Sequence, residues 1–288
     1  MKILRTGVLL ILLSVLLVVA GGAIGGKSGM KIALGIAVVM NGISYFFSDK
    51  IALASSGAQP VSREQVPRLY EVMERLAGKA RLPMPKLYVI PEEAPNAFAT
   101  GRNPRHASVA VTQGLLELMN DEELEGVIAH ELSHVRNYDI LTSSVAATIA
   151  GAITYLASMG RWAMLFGGFG RDRDDDREGG GFAALLMIFL APFAALLLQL
   201  FLSRTREYSA DQTGARMVGQ PYGLISALQK LGAYNQRIPT TSLSPSTSAL
   251  CIVKPFFGSG TLSSLFSTHP PLERRIQALR EMTVSPQR

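Results

Sequence analysis

Two histidines four residues apart, with a glutamate directly after the first, make His130-Glu131-Leu132-Ser133-His134 the segment best suited to chemistry. On an α-helix, residues four apart lie on one face, so both imidazoles can reach one metal ion. Glu131, three residues before His134, lies beside them. A catalytic zinc takes three protein ligands and keeps a fourth position for water, so a third ligand must come from elsewhere. The segment Arg204-Thr205-Arg206-Glu207-Tyr208-Ser209-Ala210-Asp211 offers one. Glu207 and Asp211 are again four apart. The first can bind zinc, and the second can accept a hydrogen bond from the far nitrogen of a ligating histidine. Without the histidine motif this pair reads as an exposed acidic couple balanced by two arginines. The chemistry is metal-assisted hydrolysis, in which zinc lowers the pKa of water from 15.7 to about 7. Glu131 is placed to take the proton and pass it to the leaving amine.

The elements that must position these groups are legible around them. Asn120 caps a helix with Asp121, Glu122 and Glu123 in its first turn, where the macrodipole favours acids. Residues from about Pro60 to Asp139 read as a small α+β unit. Ser62 and Gln65 form a capping box, and the helix that follows should stop at Gly78. Lys86 to Ile90 and Ser108 to Thr112 read as strands, and Asn96 to Gly101 as an edge strand before a Gly-Arg-Asn-Pro turn. Asn96, Ala97, Phe98 and Ala99 are the candidate substrate-binding residues, because an extended chain can add to such an edge through main-chain hydrogen bonds. Helices are expected from Arg204 to about Met217, from Gly223 to Leu231, and from Leu272 to about Met282 after His269-Pro270-Pro271. The stretch from Arg237 to Phe266 is rich in Ser, Thr, Pro and Gly and reads as a long connection. His106 is read as a surface residue and is not assigned to zinc.

Composition places this unit at a membrane. Only 17% of the 288 residues are charged, against roughly 25% in an average soluble domain. Uncharged runs of 21, 17, 21 and 25 residues follow Arg5, Lys31, Asp139 and Glu178, and a bilayer crossing needs about 20. The first also has the look of a signal peptide, and the third, with its Ser and Thr, that of a buried soluble helix. Lys50, Arg63, Arg68, Arg75, Lys79 and Arg81 follow the second span, which puts that region in the cytoplasm. If His134 and Glu207 share one zinc, the chain between them crosses the membrane twice or not at all. Either way, the site sits just beneath the surface. The divisions expected are a membrane hairpin (1–50), a first part of the core (51–139), a second hairpin (140–203) and a second part of the core (204–288). A single cysteine, Cys251, excludes an intrachain disulfide framework. No Lys/Arg block interleaved with aromatics supports nucleic-acid binding, so the net charge of +6 reads as membrane-flanking charge.

His-Glu-x-x-His, a helical hairpin, Glu-x-x-Ala-Asp and a late Ser-x-His-Pro-Pro together resemble the HtpX family of bacterial membrane zinc proteases, relatives of the eukaryotic CAAX prenyl proteases. Pro95 to Gly101, Val109 to Leu116 and the two opening spans match that layout, so the resemblance covers nearly the whole chain. It implies a mainly α membrane protein with about four transmembrane helices and a small α+β protease core of the zincin (gluzincin-like) type. It also implies one zinc on His130, His134 and Glu207, catalysis by Glu131, and supporting roles for Asp211 and His269. His269 is the candidate oxyanion stabiliser, or else only a cap for the last helix. The activity implied is endopeptidase cleavage of misfolded or excess membrane proteins at the cytoplasmic face of the bacterial inner membrane. The alternatives are processing of one dedicated membrane or lipidated substrate, and a zinc-bound scaffold that does not cut.

Overall fold

The computed structural model of the chain describes residues 2–146, 204–237 and 270–282. The third and fourth expected spans fall almost wholly on 147–203, outside these residues, as does His269.

The first element, α1 (Lys2–Ser55), is two helical arms folded back at Gly25 and Gly26, where the backbone leaves helical geometry. Gly26, at φ +54 and ψ −141, takes a conformation that L side chains rarely adopt. Past that turn the arms touch at Gly21 and Gly29, where an added methyl would overlap the opposite backbone. Deeper in the pair, Asn41 Nδ2 donates to Ser14 Oγ at 2.9 Å, a part-buried bond that ties the two arms together. The second arm, Gly25–Ser55, has a mean hydropathy of 1.6 over its most apolar window and is the one helix among the described residues long and apolar enough to cross a membrane. Its outer face carries Ile32, Leu34, Ile36, Val39, Phe46 and Phe47, all exposed, while Ala33, Ala37, Ser44, Ser48 and Ala52 are buried.

The core is a four-stranded sheet in the order β1 (Gln59–Pro60), β2 (Lys86–Ile90), β4 (Ala107–Thr112), β3 (Ala97–Gly101). β2 runs parallel to β4, and the other two pairings are antiparallel. Strand alternation sends Leu87, Ala97, Ala99, Val109 and Val111 to one face. There they pack against α2 (Pro67–Ala80) through Leu69, Met73 and Leu76, and against α4 (Asp121–Arg136) through Leu124, Ile128 and Leu132. Each such fully buried side chain contributes about 1.5–3 kcal/mol. The opposite face, with Ile90, Phe98 and Ala110, is covered by Ala52 and Leu53 at the end of α1. The apolar arm is thus continuous with the core.

Two expectations need correction. Ser62 N–H does donate to Gln65 Oε1, at 2.8 Å, but the pair closes a turn ahead of α2, whose N-cap is Val66 with no side-chain bond. Pro67 starts the helix because its fixed φ suits the first turn. The helix also runs past Gly78 to Ala80. Arg81, at φ +54, supplies the left-handed C-cap, and Leu82 N–H closes on Ala77 O at 2.9 Å. The short α3 (Gln113–Leu118), capped by Thr112, and strand β1 were not foreseen.

After α4 the chain turns at residues 137–138 and resumes as a helix over 139–146, here α5, which leads toward 147–203. The remaining described helices are α6 (Arg204–Val218), α7 (Tyr222–Arg237) and α8 (Leu272–Arg280). Three glycines let α4 sit close to its partners. A methyl on Gly126 would meet Leu224 N at 2.5 Å, one on Gly223 would overlap Glu122 O, and one on Gly214 would lie 3.0 Å from His130 N.

Candidate active site

The helix α4 begins with a complete capping box. Glu123 N–H donates to Asn120 Oδ1 and Asn120 N–H to Glu123 Oε2, each at 2.9 Å. Glu123 is itself buried, held by Ser226 Oγ at 2.6 Å and Lys230 Nζ at 2.7 Å, which pins the start of α4 to α7. Burial alone would raise its pKa, but these partners hold it below the usual carboxylate range.

Two turns on, His130 and His134 lie on one face as the four-residue spacing requires, their rings edge to face with centroids 4.8 Å apart. Their Nε2 atoms are 3.3 Å apart. Glu207 arrives from α6 with Oε2 at 3.7 Å from His130 Nε2 and Oε1 at 3.7 Å from His134 Nε2. One ligand atom from each of the three residues falls within 4.8 Å of the others. Two nitrogens on a tetrahedral zinc, each about 2.1 Å away, lie about 3.4 Å apart, close to the separation seen here. The donor set of two imidazoles and one carboxylate therefore fits zinc in kind and in spacing.

The far side of each imidazole faces a carboxylate. Asp211 Oδ1 is 2.8 Å from His130 Nδ1, and Asp139 Oδ2 is 3.6 Å from His134 Nδ1. Asp211 is in turn gripped by Arg275 of α8, whose Nε and Nη2 donate to its two oxygens at 2.8 and 2.7 Å. Arg275 Nη1 also lies 3.6 Å from Glu207 Oε2. Burial would raise the Asp211 pKa, yet the guanidinium holds it below the usual range. Burial pushes His130 down, outweighing the pull of Asp211. For His134 burial also works against the charged form, but Asp139, Glu207 and Glu131 carry it up to about 9.

Glu131, 4% exposed, lies between this cluster and β3. Burial pushes its pKa up to about 7, assisted by Glu207 and opposed by His134, by the Ala99 backbone N–H that donates to it, and by Arg275.

The strand β3 presents its outer edge here. Asn96 O accepts from Thr112 N–H at 2.9 Å, so alternation along the antiparallel pair turns the N–H and C=O groups of Ala97, Ala99 and Gly101 away from β4. The outward N–H groups are engaged: Ala97 by Asn96 Oδ1 at 2.9 Å, Ala99 by Glu131, and Gly101 by Ser144 Oγ at 3.4 Å. Asn96, Ala97, Phe98 and Ala99 are all buried.

The structure therefore brings together His130, His134, Glu207, Glu131, Asp211 and the Asn96–Ala99 edge. His106 is exposed, its Nδ1 2.9 Å from Asn103 Oδ1, as a surface residue would be. Sequence reasoning missed Arg275 and Asp139. A signal for Arg275 existed: with Leu272, Ile276 and Leu279 it falls on the inward stripe of its helix, an unusual place for a charge. Asp139 carried no such mark, because it stood at the edge of an uncharged run.

A model of peptidase family M48 matches residues 63–283, which include every residue of the cluster. The chain belongs to this family. The peptidase is 54% identical over 275 residues to a protein described as "Protease HtpX homolog" from Desulfatibacillum aliphaticivorans, covering 96% of this chain and 88% of that one. The protein of the same description from Pyrococcus furiosus is 49% identical, covering 97% of this chain and 96% of that one. Among solved structures, S. mikatae Ste24p shares the fold with a TM-score of 0.52 at 21% identity. The match takes in 93% of this chain and 61% of that one, so the peptidase spans about three fifths of its length. The resemblance to the HtpX family holds, and the chain is a membrane metalloprotease.

Proposed function

We propose that the chain is a zinc endopeptidase that hydrolyses peptide bonds of misfolded or excess membrane proteins at the cytoplasmic face of the bacterial inner membrane. The observation that carries this reading is the convergence of His130, His134 and Glu207 beside the buried Glu131. The cluster lies immediately before a helix that leads toward an uncharged run. The cytoplasmic side follows from the excess of Lys and Arg after the second span. The long apolar arm of α1 supports a hairpin over 1–50, and the uncharged runs within 140–203 supply a second hairpin, for about four spans. The core is then shared between 51–139 and 204–288.

In this reading His130, His134 and Glu207 hold one zinc, which when bound supplies an acidified water and a polarised carbonyl. Asp211 accepts the Nδ1 proton of His130 and so leaves Nε2 as the metal-facing atom. Arg275 fixes Asp211 by a two-pronged contact and offsets the negative charge of Glu207. Glu131 takes the proton from the water and passes it to the leaving amine. His269, next to the buried Pro270, is the proposed donor to the oxyanion. Substrate backbone pairs with the outward carbonyls of Ala97 and Ala99, so recognition rests on main chain and specificity is broad. Since β3 is buried, groups over its edge must move aside as substrate enters. A scaffold that binds without cutting has no use for Glu131, and its burial beside the ligands favours the catalytic reading.

The test measures zinc content and casein cleavage by the purified protein in detergent, beside Glu131→Gln and Glu207→Ala, with chelator controls. Wild type should cut, Glu131→Gln should hold zinc without cutting, and Glu207→Ala should lose both. Wild-type protein that binds zinc and never cuts, even with unfolded membrane substrates, would move the scaffold reading or the dedicated-processing reading ahead.

A further inference from the structure

The two ligating imidazoles are supported unequally. His130 Nδ1 already meets Asp211 at hydrogen-bond distance, and Asp211 is locked by Arg275. His134 Nδ1 faces Asp139 across 3.6 Å, about half an ångström beyond a hydrogen bond. Asp139 is not a wandering surface acid. It is 7% exposed, and burying a carboxylate is costly unless a donor faces it.

The backbone is built to bring it there. α4 ends at Arg136, Asn137 N–H bonds to Ser133 O at 2.9 Å and Tyr138 N–H to Val135 O at 3.1 Å. Tyr138 then adopts φ +58, the left-handed region that costs a non-glycine residue roughly 1–2 kcal/mol. The turn at 137–138 leaves Asp139, the first residue of α5, facing the imidazole of His134. α5 is held in its rotation by two further polar contacts. Thr142 Oγ1 lies 2.8 Å from Thr6 Oγ1 in the first arm of α1, and Ser144 Oγ lies 2.6 Å from Thr100 Oγ1 in β3. A strained turn, a buried carboxylate and a doubly tied helix all converge on one ring nitrogen.

We propose that Asp139 is the positioning residue of His134: it accepts the Nδ1 proton, presents Nε2 to the metal, and couples that ligand to the helix that leads into the membrane. The inference rests on the metal-site reading above. It gives His134 a carboxylate partner of its own, from α5, beside the one that Asp211 of α6 offers His130.

The experiment uses the full-length protein in detergent and measures zinc affinity by competition with a chromophoric chelator, with kcat and KM at saturating zinc as a second readout. Asp139→Ala and Asp139→Asn should weaken zinc binding about 10–100-fold and lower kcat with KM little changed. Asp121→Asn, an exposed carboxylate on α4, should match wild type. Zinc binding within twofold of wild type in both Asp139 variants overturns the proposal. Should neither neutral variant accumulate as folded protein, Asp139→Glu keeps the charge and decides the matter. A carboxylate displaced by one methylene shifts the zinc Kd at least threefold if it positions His134, and leaves it unchanged if it only balances charge. A wild-type protein that holds no zinc would instead sink the metal reading itself, which keeps the two failures distinct.

Discussion

Replacing Arg275 by methionine keeps most of the aliphatic stem and removes the guanidinium, so the loss isolates the charge. Arg275 is 1% exposed. It makes two hydrogen bonds to Asp211, at 2.8 and 2.7 Å, and lies 3.6 Å from Glu207. Breaking a buried pair by removing one partner costs about 3–5 kcal/mol, because the other charge is left uncompensated. The protein has one escape, which is to protonate Asp211. From an ordinary Asp pKa of about 3.9 that costs about 4 kcal/mol at pH 7 and falls by about 1.4 kcal/mol per pH unit. The expected loss at pH 7 is therefore about 3–4 kcal/mol, and it shrinks as pH falls toward 4.

The sign follows from linkage. In the wild type Asp211 has a lowered folded pKa, so its stabilising contribution is present above the unfolded value and is lost only as pH falls through the folded one. In Arg275→Met the folded pKa is raised instead. The variant then loses stability as pH rises from about 4 toward that raised value. Metal-free protein in detergent, melted at a fixed scan rate and followed by far-ultraviolet circular dichroism, should show a fall of about 6–16 °C at pH 7. The Arg275→Met/Asp211→Asn double variant should be more stable than Arg275→Met alone, since the stranded charge is gone. A melting point within 2 °C of wild type, or a double variant as unstable as the two single losses combined, would refute the reasoning.

Three further outcomes are expected. Gly214→Ala places a methyl 3.0 Å from Ala129 C and His130 N. It should cost about 1–3 kcal/mol in overpacking, partly offset by about 1 kcal/mol of helix propensity. The same change moves α6 off α4, so zinc affinity in chelator competition should fall more than the melting temperature suggests. Glu123→Gln should lower the melting temperature at pH 7, and its gap to wild type should narrow as pH falls below the ordinary glutamate range. The lowered pKa of Glu123 means that its contribution is lost as pH falls through the folded value. Ala99→Pro removes an N–H that faces away from β4 and donates to Glu131, so the ladder stays intact. Casein cleavage should drop at least tenfold with zinc retained, and cleavage at the wild-type rate would refute the role given to that strand edge.

The parts of this fold that were legible in the sequence are those that local chemistry decides. α4 could be read from Asn120, the three acids that follow and the four-residue histidine spacing, because cap and face are local properties of a helix. β2, β3 and β4 showed as short apolar runs between prolines and glycines, and the edge position of β3 followed from the turn after it. The start of α2 was misplaced because two local signals competed, the Ser62–Gln65 pair and Pro67, and the proline prevailed. Its end was misplaced because Gly78 is tolerated inside a helix when Arg81 can take the left-handed cap. Glu207 was found through its spacing to Asp211, whereas Arg275, 64 residues beyond Asp211, has no sequence neighbour that shares its role. Only the packing of α8 on α6 brings it to the site.

That packing bears on how the site is assembled. The histidines and Glu131 lie on one side of the stretch 147–203 and Glu207 and Asp211 on the other, so no contiguous piece of chain shorter than His130 to Asp211 contains the cluster. The contact that joins the halves is α4 against α6, closed by Gly214 beside the backbone of His130. On the α4 side, Asp139 begins α5, and on the α6 side Glu207 lies in the first turn of its helix. Both carboxylates thus sit on elements that lead toward the stretch 147–203. His130, by contrast, faces Asp211, which Arg275 grips with two hydrogen bonds. The metal-site residues are therefore anchored differently: His130 is backed by the Asp211–Arg275 pair between α6 and α8, whereas His134 faces Asp139 at the start of α5.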